Sequence, residues 1–317
     1  MSPAKLLALC LLMTACAPLP SAPAVIQPGH IDLVRGPDGN TVILDAPDGL
    51  VVVDTGRHPE HSTAILNHAR TVGKPIVAIV NTHWHLDHTT GNRDILAAFP
   101  AAQVVASRAV EGALDGFLER SRAQTEAMLL AGNMPADARA RAERSLAAVR
   151  DRAALVPDVR VEVEATRHLG GRRIELRLAR NAATGGDVWL VVPDERLAVV
   201  GDLVVGPVPF FDTGCEEGWT AALAAIEDAE WDRLVPGHGK VMTRADFGRW
   251  RAAFKAYLDC ARSNRASADC ASEWSAAARD FHTDAEAADV PTMAHYYVES
   301  VLRAPADQRM AYCAMVD

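Results

Sequence analysis

The stretch NTHWHLDHTTGN, Asn81 to Asn92, packs three histidines and an aspartate into the six positions from His83 to His88. It follows directly on Pro75-Ile76-Val77-Ala78-Ile79-Val80, six apolar residues in a row. Such a run predicts a strand buried on both faces, and loops at the carboxyl ends of such strands are where α/β proteins place their chemistry. Imidazoles two residues apart at the end of an extended segment point the same way, so His83 and His85 can converge on one cation. Asp87 and His88, past the bend, can reach a second position nearby. Imidazole together with carboxylate suits zinc at about 2.0 to 2.2 Å, with manganese or iron as substitutes. Taken alone the cluster is also readable as a polar turn, so the surrounding chain decides.

Upstream, His30 to Asp54 carries three apolar runs separated by Pro-Asp-Gly turns, the pattern of a β-meander. A helical pattern runs from His61 to Val72. Downstream, Gly91 to Phe99 reads as a short helix and Gln103 to Ala106 as a strand. Residues 108–154 are rich in Ala, Arg, Glu and Leu and read as helices broken near Gly132-Asn133-Met134-Pro135. This helical insertion is placed either to wall the site or simply to pack on the sheet. Strands resume at Val159 to Val163, Arg173 to Ala179, Val188 to Val192 and Leu197 to Val200. The segment Glu217 to Glu230 is an amphipathic helix, and Asp232 to Val235 a last strand before Pro236-Gly237-His238-Gly239. From Thr243 to the end the pattern is helical. The expectation is therefore an α/β body over residues 29–242 with an α-helical extension over 243–317.

The order of parts resembles the metallo-β-lactamase superfamily: Asp54-Thr55-Gly56 after an early strand, His83-x-His85-x-Asp87-His88, Gly201-Asp202 after a strand, and Gly237-His238 after the last strand. The resemblance covers about Ile31 to Val241. It implies an αββα four-layer sandwich with the cluster at one edge between the sheets. It further implies that His83 and His85 belong to a first metal position and that Asp87, His88 and His238 form a second. Asp202 would bridge the two, and Asp54 would support the loops. The implied chemistry is hydrolysis of a small-molecule substrate by metal-activated water.

One element departs from that pattern. The family's first position takes a third histidine from a His-Thr-x-Gly-Asp motif, and the corresponding stretch here is Ala183-Thr184-Gly185-Gly186-Asp187. A methyl group cannot ligate a metal. His168, the only other histidine between His88 and His238, falls at a Leu169-Gly170-Gly171 turn expected at the distal end of a hairpin. Asn181 could offer an amide oxygen, a weak zinc ligand beside imidazole. The expectation is one tightly held zinc at the second position, with weak or no occupancy at the first. Asp87, or His83 and His85 released from ligation and titrating near neutrality, would then serve as general base. The competing reading of Ala183 is a degenerate member that binds metal or ligand with little turnover. Among weaker candidates, Trp84 and Val204 to Phe211 are read as pocket lining or core. His58 and His61 are read as surface residues at a helix start.

The whole chain sets the context. It has 317 residues and a net charge of −9, and that acidity disfavours nucleic-acid partners, which require neutralised phosphates. The opening MSPAKLLALCLLMTAC carries one lysine and an apolar run too short to span a bilayer, so it reads as an export signal over residues 1–15. Leu12 to Cys16 resembles a lipoprotein box, which would anchor a periplasmic protein to the membrane through Cys16. Cleavage near Ser21-Ala22-Pro23-Ala24 is the alternative. Residues 16–28 read as a tether. Cys215, Cys260, Cys270 and Cys313 remain, an even number that suits disulfides in an oxidising compartment. Cys260 with Cys270, across a short polar loop, is the expected pair.

Overall fold

The computed structural model describes residues 23–27, 38–283, 287, 289–305, 308, 310 and 313. Two six-stranded sheets face each other. The first has the order β1-β2-β3-β4-β5-β6, from β1 (Ala24–Ile26), β2 (Thr41–Ala46), β3 (Gly49–Val53), β4 (Ile76–Val80), β5 (Gln103–Ser107) and β6 (Val159–Val161). Strands β2 and β3 form an antiparallel hairpin across Pro47-Asp48, whereas β3 through β6 run parallel. The parallel arrangement gathers the carboxyl ends of β3 and β4 at one rim, which is where Asp54 and the histidine loop begin.

The second sheet has the order β12-β11-β10-β9-β8-β7. Its strands are β7 (Ala165–Leu169), β8 (Arg172–Arg180), β9 (Gly186–Val192), β10 (Leu197–Val205), β11 (Arg233–His238) and β12 (Met242–Thr243). Only β10 and β11 pair in parallel within it, so Asp202 and His238 reach the same rim. Alternate residues of both sheets, including Val42, Leu44, Val53 and Val80 against Leu176, Val188, Leu190 and Val235, make the core between them. The outer face of the first sheet is covered by α1 (Pro59–Val72), which starts at a proline and stops at left-handed Gly73, with the short α2 (Leu86–Thr89) and α3 (Asn92–Ala98) following the cluster. Ile65, Ala69 and Ile95 bury there against Val52 and Ile79. The outer face of the second sheet takes α7 (Glu216–Asp228) and the C-terminal helices α8 (Arg244–Arg262), α9 (Ser267–Ala278) and α10 (Val290–Tyr296), around Trp219, Trp250, Phe254 and Trp274. This is the αββα sandwich with a helical extension that the sequence implied.

The insertion forms α4 (Ala109–Asp115), α5 (Phe117–Ala131) and α6 (Ala136–Arg150), broken at Gly132 as expected. Cys260 and Cys270 are joined as anticipated, and a second disulfide links Cys215 to Cys313 across 98 positions. Two readings need correction or limits. Ala24–Ile26, assigned to a tether, instead pairs with Thr41–Ile43 as an edge strand, because its apolar residues extend a sheet that already has an open edge at β2. The export signal, Cys16 and the first run of the meander lie outside the described residues. Among the described residues, no helix is long and apolar enough to cross a membrane.

Candidate metal centre

The rim where β3, β4, β10 and β11 end brings together His83, His85, Asp87, His88, Asp202 and His238. Asp54 sits at φ 58°, a left-handed conformation uncommon outside glycine. That turn aims its carboxylate back into the fold, where it accepts from Thr82 N–H at 2.8 Å and Thr82 Oγ1 at 2.7 Å and faces His88 Nδ1 at 2.8 Å. Asp54 therefore fixes both ends of the His83 to His88 loop. Glycine is required at two close approaches: a Cβ on Gly237 would lie 2.0 Å from Asp202 Oδ1, and one on Gly201 (φ 52°) 2.4 Å from Thr82 Oγ1.

Hydrogen bonds on the far side of each imidazole dictate which nitrogen faces the cluster. Thr82 gives its one hydroxyl proton to Asp54, so at 3.0 Å it accepts from His83 Nδ1–H, leaving His83 Nε2 as a lone pair. Thr213 donates to the Ala183 carbonyl at 2.9 Å, so at 3.0 Å it accepts from His85 Nε2–H, leaving Nδ1 as the inward lone pair. His88 Nδ1–H donates to Asp54, turning its Nε2 inward. Such outer partners set the tautomer of metal-binding histidines.

The inward atoms fall into two groups. In the second position, His88 Nε2 lies 3.1 Å from Asp202 Oδ1, 3.2 Å from His238 Nε2 and 3.7 Å from Asp87 Oδ2. His238 Nε2 lies 3.1 Å from Asp87 Oδ2 and 3.5 Å from Asp202 Oδ1. Two sets of donor atoms lie mutually within 4.8 Å, Asp87 with His88 and His238, and His83 with His88 and Asp202. Ligands at about 2.0 to 2.1 Å around a tetrahedral ion stand about 3.3 Å apart, so the set of Asp87, His88 and His238 fits a zinc-sized cation, with Asp202 beside it. In the first position, His83 Nε2 is 3.5 Å and His85 Nδ1 3.9 Å from Asp202 Oδ2. His83 Nε2 and Asp202 Oδ1 are buried without a hydrogen-bond partner, a costly state in a dry interior that a cation would relieve. Ala183 is buried and offers no side-chain donor; its carbonyl accepts from Thr213. His168 lies exposed on β7 at the far end of the β7–β8 hairpin. The side chain expected to complete the first position is thus absent, and His88 belongs to both converging sets.

Without a cation, charge is shared inside the cluster. Burial disfavours a charged His88, but Asp202, Asp54 and Asp87 outweigh it and raise its pKa well above the ordinary value. His238 is raised in the same way, burial being overcome by Asp202 and Asp87. Asp87 and Asp202 resist burial through the histidines around them and stay below the usual carboxylate range. A metal at the second position must displace protons from its histidines, so its affinity rises with pH. Burial, reinforced by His88 and His85, holds His83 well below the ordinary histidine value. In the metal-free cluster His83 is therefore held neutral and Asp87 is held ionised. His85, half-buried and with Nε2 held by Thr213, is the better placed of the three to act as base.

Around the donors the site is two-sided. Trp84 is buried, edge-on to His85 at 4.6 Å and 5.2 Å from the Phe117 ring at the start of α5. Phe210 stands edge-on to His85 at 5.1 Å, while Phe211 turns into the core against Trp219. The insertion therefore walls the site. On the other side, Arg57 approaches Asp87, and Arg144 of α6 reaches its backbone. His58 and His61, read as surface residues, are buried instead. His58 Nδ1 is 2.8 Å from Asp38 Oδ2 and His61 Nε2 is 2.7 Å from Thr41 Oγ1. The helix start folds under the Asp54 turn, which encloses both rings. Neither Arg57 nor Thr213 was singled out in the sequence. Arg57 carried a signal, its position directly after Asp54-Thr55-Gly56, whereas Thr213 carried none.

A family model described as the metallo-beta-lactamase superfamily matches residues 34–238. The 2,4-dinitroanisole O-demethylase subunit alpha of Nocardioides sp. is 27% identical over 243 residues, covering 70% of this chain and 60% of the relative. The (R)-specific secondary-alkylsulfatase of Pseudomonas sp. is 28% identical over 190 residues, covering 53% and 28%. The hydroxyacylglutathione hydrolase of Erythrobacter litoralis is 39% identical over 80 residues, covering 25% and 26%. The chain thus spans less than two thirds of these relatives' length. Among solved structures, the stereoselective inverting sec-alkylsulfatase Pisa1 from Pseudomonas sp. has a TM-score of 0.52 at 18% identity, covering 83% of this chain and 47% of that one, a likeness of fold.

Proposed function

The chain belongs to the metallo-beta-lactamase superfamily, and on that premise we propose that it is a zinc-dependent hydrolase of an ester, lactone or lactam-like bond. One metal is held tightly by Asp87, His88, Asp202 and His238. The observation that supports this reading is the convergence of Asp87, His88 and His238 within 4.8 Å of one another, with Asp202 Oδ1 3.1 Å from His88 Nε2. Hydrolytic relatives, a hydroxyacylglutathione hydrolase and a secondary alkylsulfatase, support the reaction class.

A zinc ion at that position supplies Lewis-acid chemistry, acidifying water toward neutrality and polarising a substrate oxygen. The chain's own residues do the rest. His85 Nδ1 accepts the proton of the attacking water while Thr213 and the Ala183 carbonyl hold its ring, the logic of a base oriented by a third group. His83 Nε2 and Asp202 Oδ2 are both acceptors, 3.5 Å apart, and so suit a weakly held second cation or a donor group of the substrate. Trp84, Phe117 and Phe210 exclude water on that side. Ala183 supports a second reading, a protein that binds metal with little turnover.

We further place the protein outside the cytoplasm, as a periplasmic lipoprotein anchored at Cys16. Two disulfides suit an oxidising compartment. Metal analysis of the purified protein, with assays on an aryl ester, a lactone, a lactam and a phosphodiester, tests the reaction. About one zinc per chain with turnover of one of the first three is expected. Zinc without turnover of any of them would establish the binding-protein reading, and near-zero metal after gentle purification would sink both.

A further inference from the structure

Arg57 is built into the site and yet has no committed partner there. Its backbone is fixed on both sides: the N–H donates to the Asp38 carboxylate, and the carbonyl accepts from Arg144 Nε at 2.7 Å. Its side chain is 27% exposed, and a terminal nitrogen stands 3.6 Å from Asp87 Oδ1. A charge-assisted hydrogen bond closes to about 2.7 to 2.9 Å, so this contact leaves the guanidinium available. Its Nε is buried without a hydrogen-bond partner. Arg144, by comparison, meets Asp94 at 2.9 Å and Arg196 meets Asp232 at 2.7 Å.

The two oxygens of Asp87 divide the surroundings. Oδ2 faces His238 at 3.1 Å within the donor cluster, and Oδ1 faces Arg57. A dication at the second position balances Asp87 and Asp202, the two carboxylates among its donors. Arg57 then supplies the cationic donor of that edge, its backbone N–H held by Asp38, while the opposite edge, Phe210 and Phe117 beside His85 and Trp84, is apolar. A planar guanidinium with donors to spare suits an oxyanion in particular.

Resting on the hydrolase reading above, we propose that Arg57 is the specificity-determining residue, binding an oxyanion of the substrate at the Asp87 edge while the apolar part lies along Phe210 and Phe117. The oxyanion is a carboxylate or a tetrahedral sulfate or phosphate.

The zinc-loaded full-length protein and its Arg57→Gln and Arg57→Lys variants are titrated calorimetrically with acetate, with inorganic sulfate and with inorganic phosphate. The anion that binds wild type names the oxyanion. Arg57→Gln is expected to weaken its binding at least tenfold with zinc content retained, and Arg57→Lys to recover part of the loss. In parallel, two aryl esters alike but for a terminal oxyanion of that type are compared. The ratio of kcat/KM for the anionic over the neutral ester is expected to fall about tenfold in Arg57→Gln, through KM. Equal anion binding in wild type and Arg57→Gln, or no anion binding in wild type, overturns the proposal. So does loss of zinc from Arg57→Gln, because Arg57 would then act through Asp87. Should wild type hydrolyse neither of these esters nor the lactone and lactam above, the hydrolase reading fails while the titrations still decide the role of Arg57.

Discussion

Replacing His238 by alanine and, separately, His83 by alanine separates the two halves of the centre. On the proposed reading the second position holds zinc through Asp87, His88, His238 and Asp202, and four-ligand zinc-finger sites, taken as the scale, contribute roughly 10 to 16 kcal/mol at neutral pH. Shared over four ligands, the loss of His238 costs on the order of 3 kcal/mol, or about 100-fold in affinity. Binding stabilises the fold by about 2.7 kcal/mol when zinc is at 100 times its Kd. A 100-fold weaker variant at that same zinc concentration keeps only about 0.4 kcal/mol. The His83→Ala variant removes a lone pair from the first position and leaves Asp87, His88, Asp202 and His238 intact, so its tight zinc and stabilisation by zinc stay within a few tenths of a kcal/mol of wild type. The assay is metal content after desalting, with unfolding midpoints measured with zinc and with chelator. Equal zinc loss from both variants, or a larger loss from His83→Ala, would refute the asymmetry derived from Ala183.

Three further outcomes follow from the same geometry. Ala183→His should raise zinc stoichiometry toward two while costing about 1 to 3 kcal/mol in metal-free stability, since Ala183 is only 1% exposed and the ring must displace packed neighbours; unchanged stoichiometry, measured by metal analysis, would count against its alignment with the missing ligand. Burial pushes the carboxyl of Asp187 up to about 7, against the hydrogen bonds it accepts from Thr184 and with help from Asp202. Its folded pKa being above the unfolded one, its stabilising contribution is complete below about pH 4 and lost as pH rises to about 7, on the order of 4 kcal/mol at most. Urea midpoints of metal-free Asp187→Asn should therefore gain on wild type across that window, and a pH-independent difference would refute the assignment. Loop-closure entropy gives Cys260–Cys270, ten residues apart, about 3 kcal/mol and Cys215–Cys313, 98 apart, about 4.7 kcal/mol; paired serine variants should rank in that order by denaturant unfolding.

What the sequence revealed of this site was what local spacing controls. The apolar run Ile76–Val80, the histidine loop after it and the Gly201-Asp202 and Gly237-His238 pairs each sit at a strand end, where chain direction alone fixes the rim they reach. The gap at Ala183 was legible for the same reason, because Thr184, Gly186 and Asp187 kept the register around it. What escaped depends on residues distant in sequence. His58 and His61 look like polar helix-start residues until Asp38 and Thr41 fold over them. The basicity of His83 depends on burial beside His88, which no spacing shows. Thr213 meets His85 across 128 positions. Ala24–Ile26 joins a sheet only because β2 leaves an edge free.

The insertion that walls the site is also lightly fastened. Of the fifteen residues of α5 only Leu118 is fully buried, and segments with few buried apolar contacts open first, well below the global transition. Arg144 carries the connection from α6 to the Arg57 carbonyl and to Asp94. Warming should therefore release that clasp while both sheets and the donor cluster at their rim remain intact. On the proposed reading, the protein would over that interval keep its metal donors but lose its choosiness, turning over anionic and neutral esters more nearly alike before it unfolds.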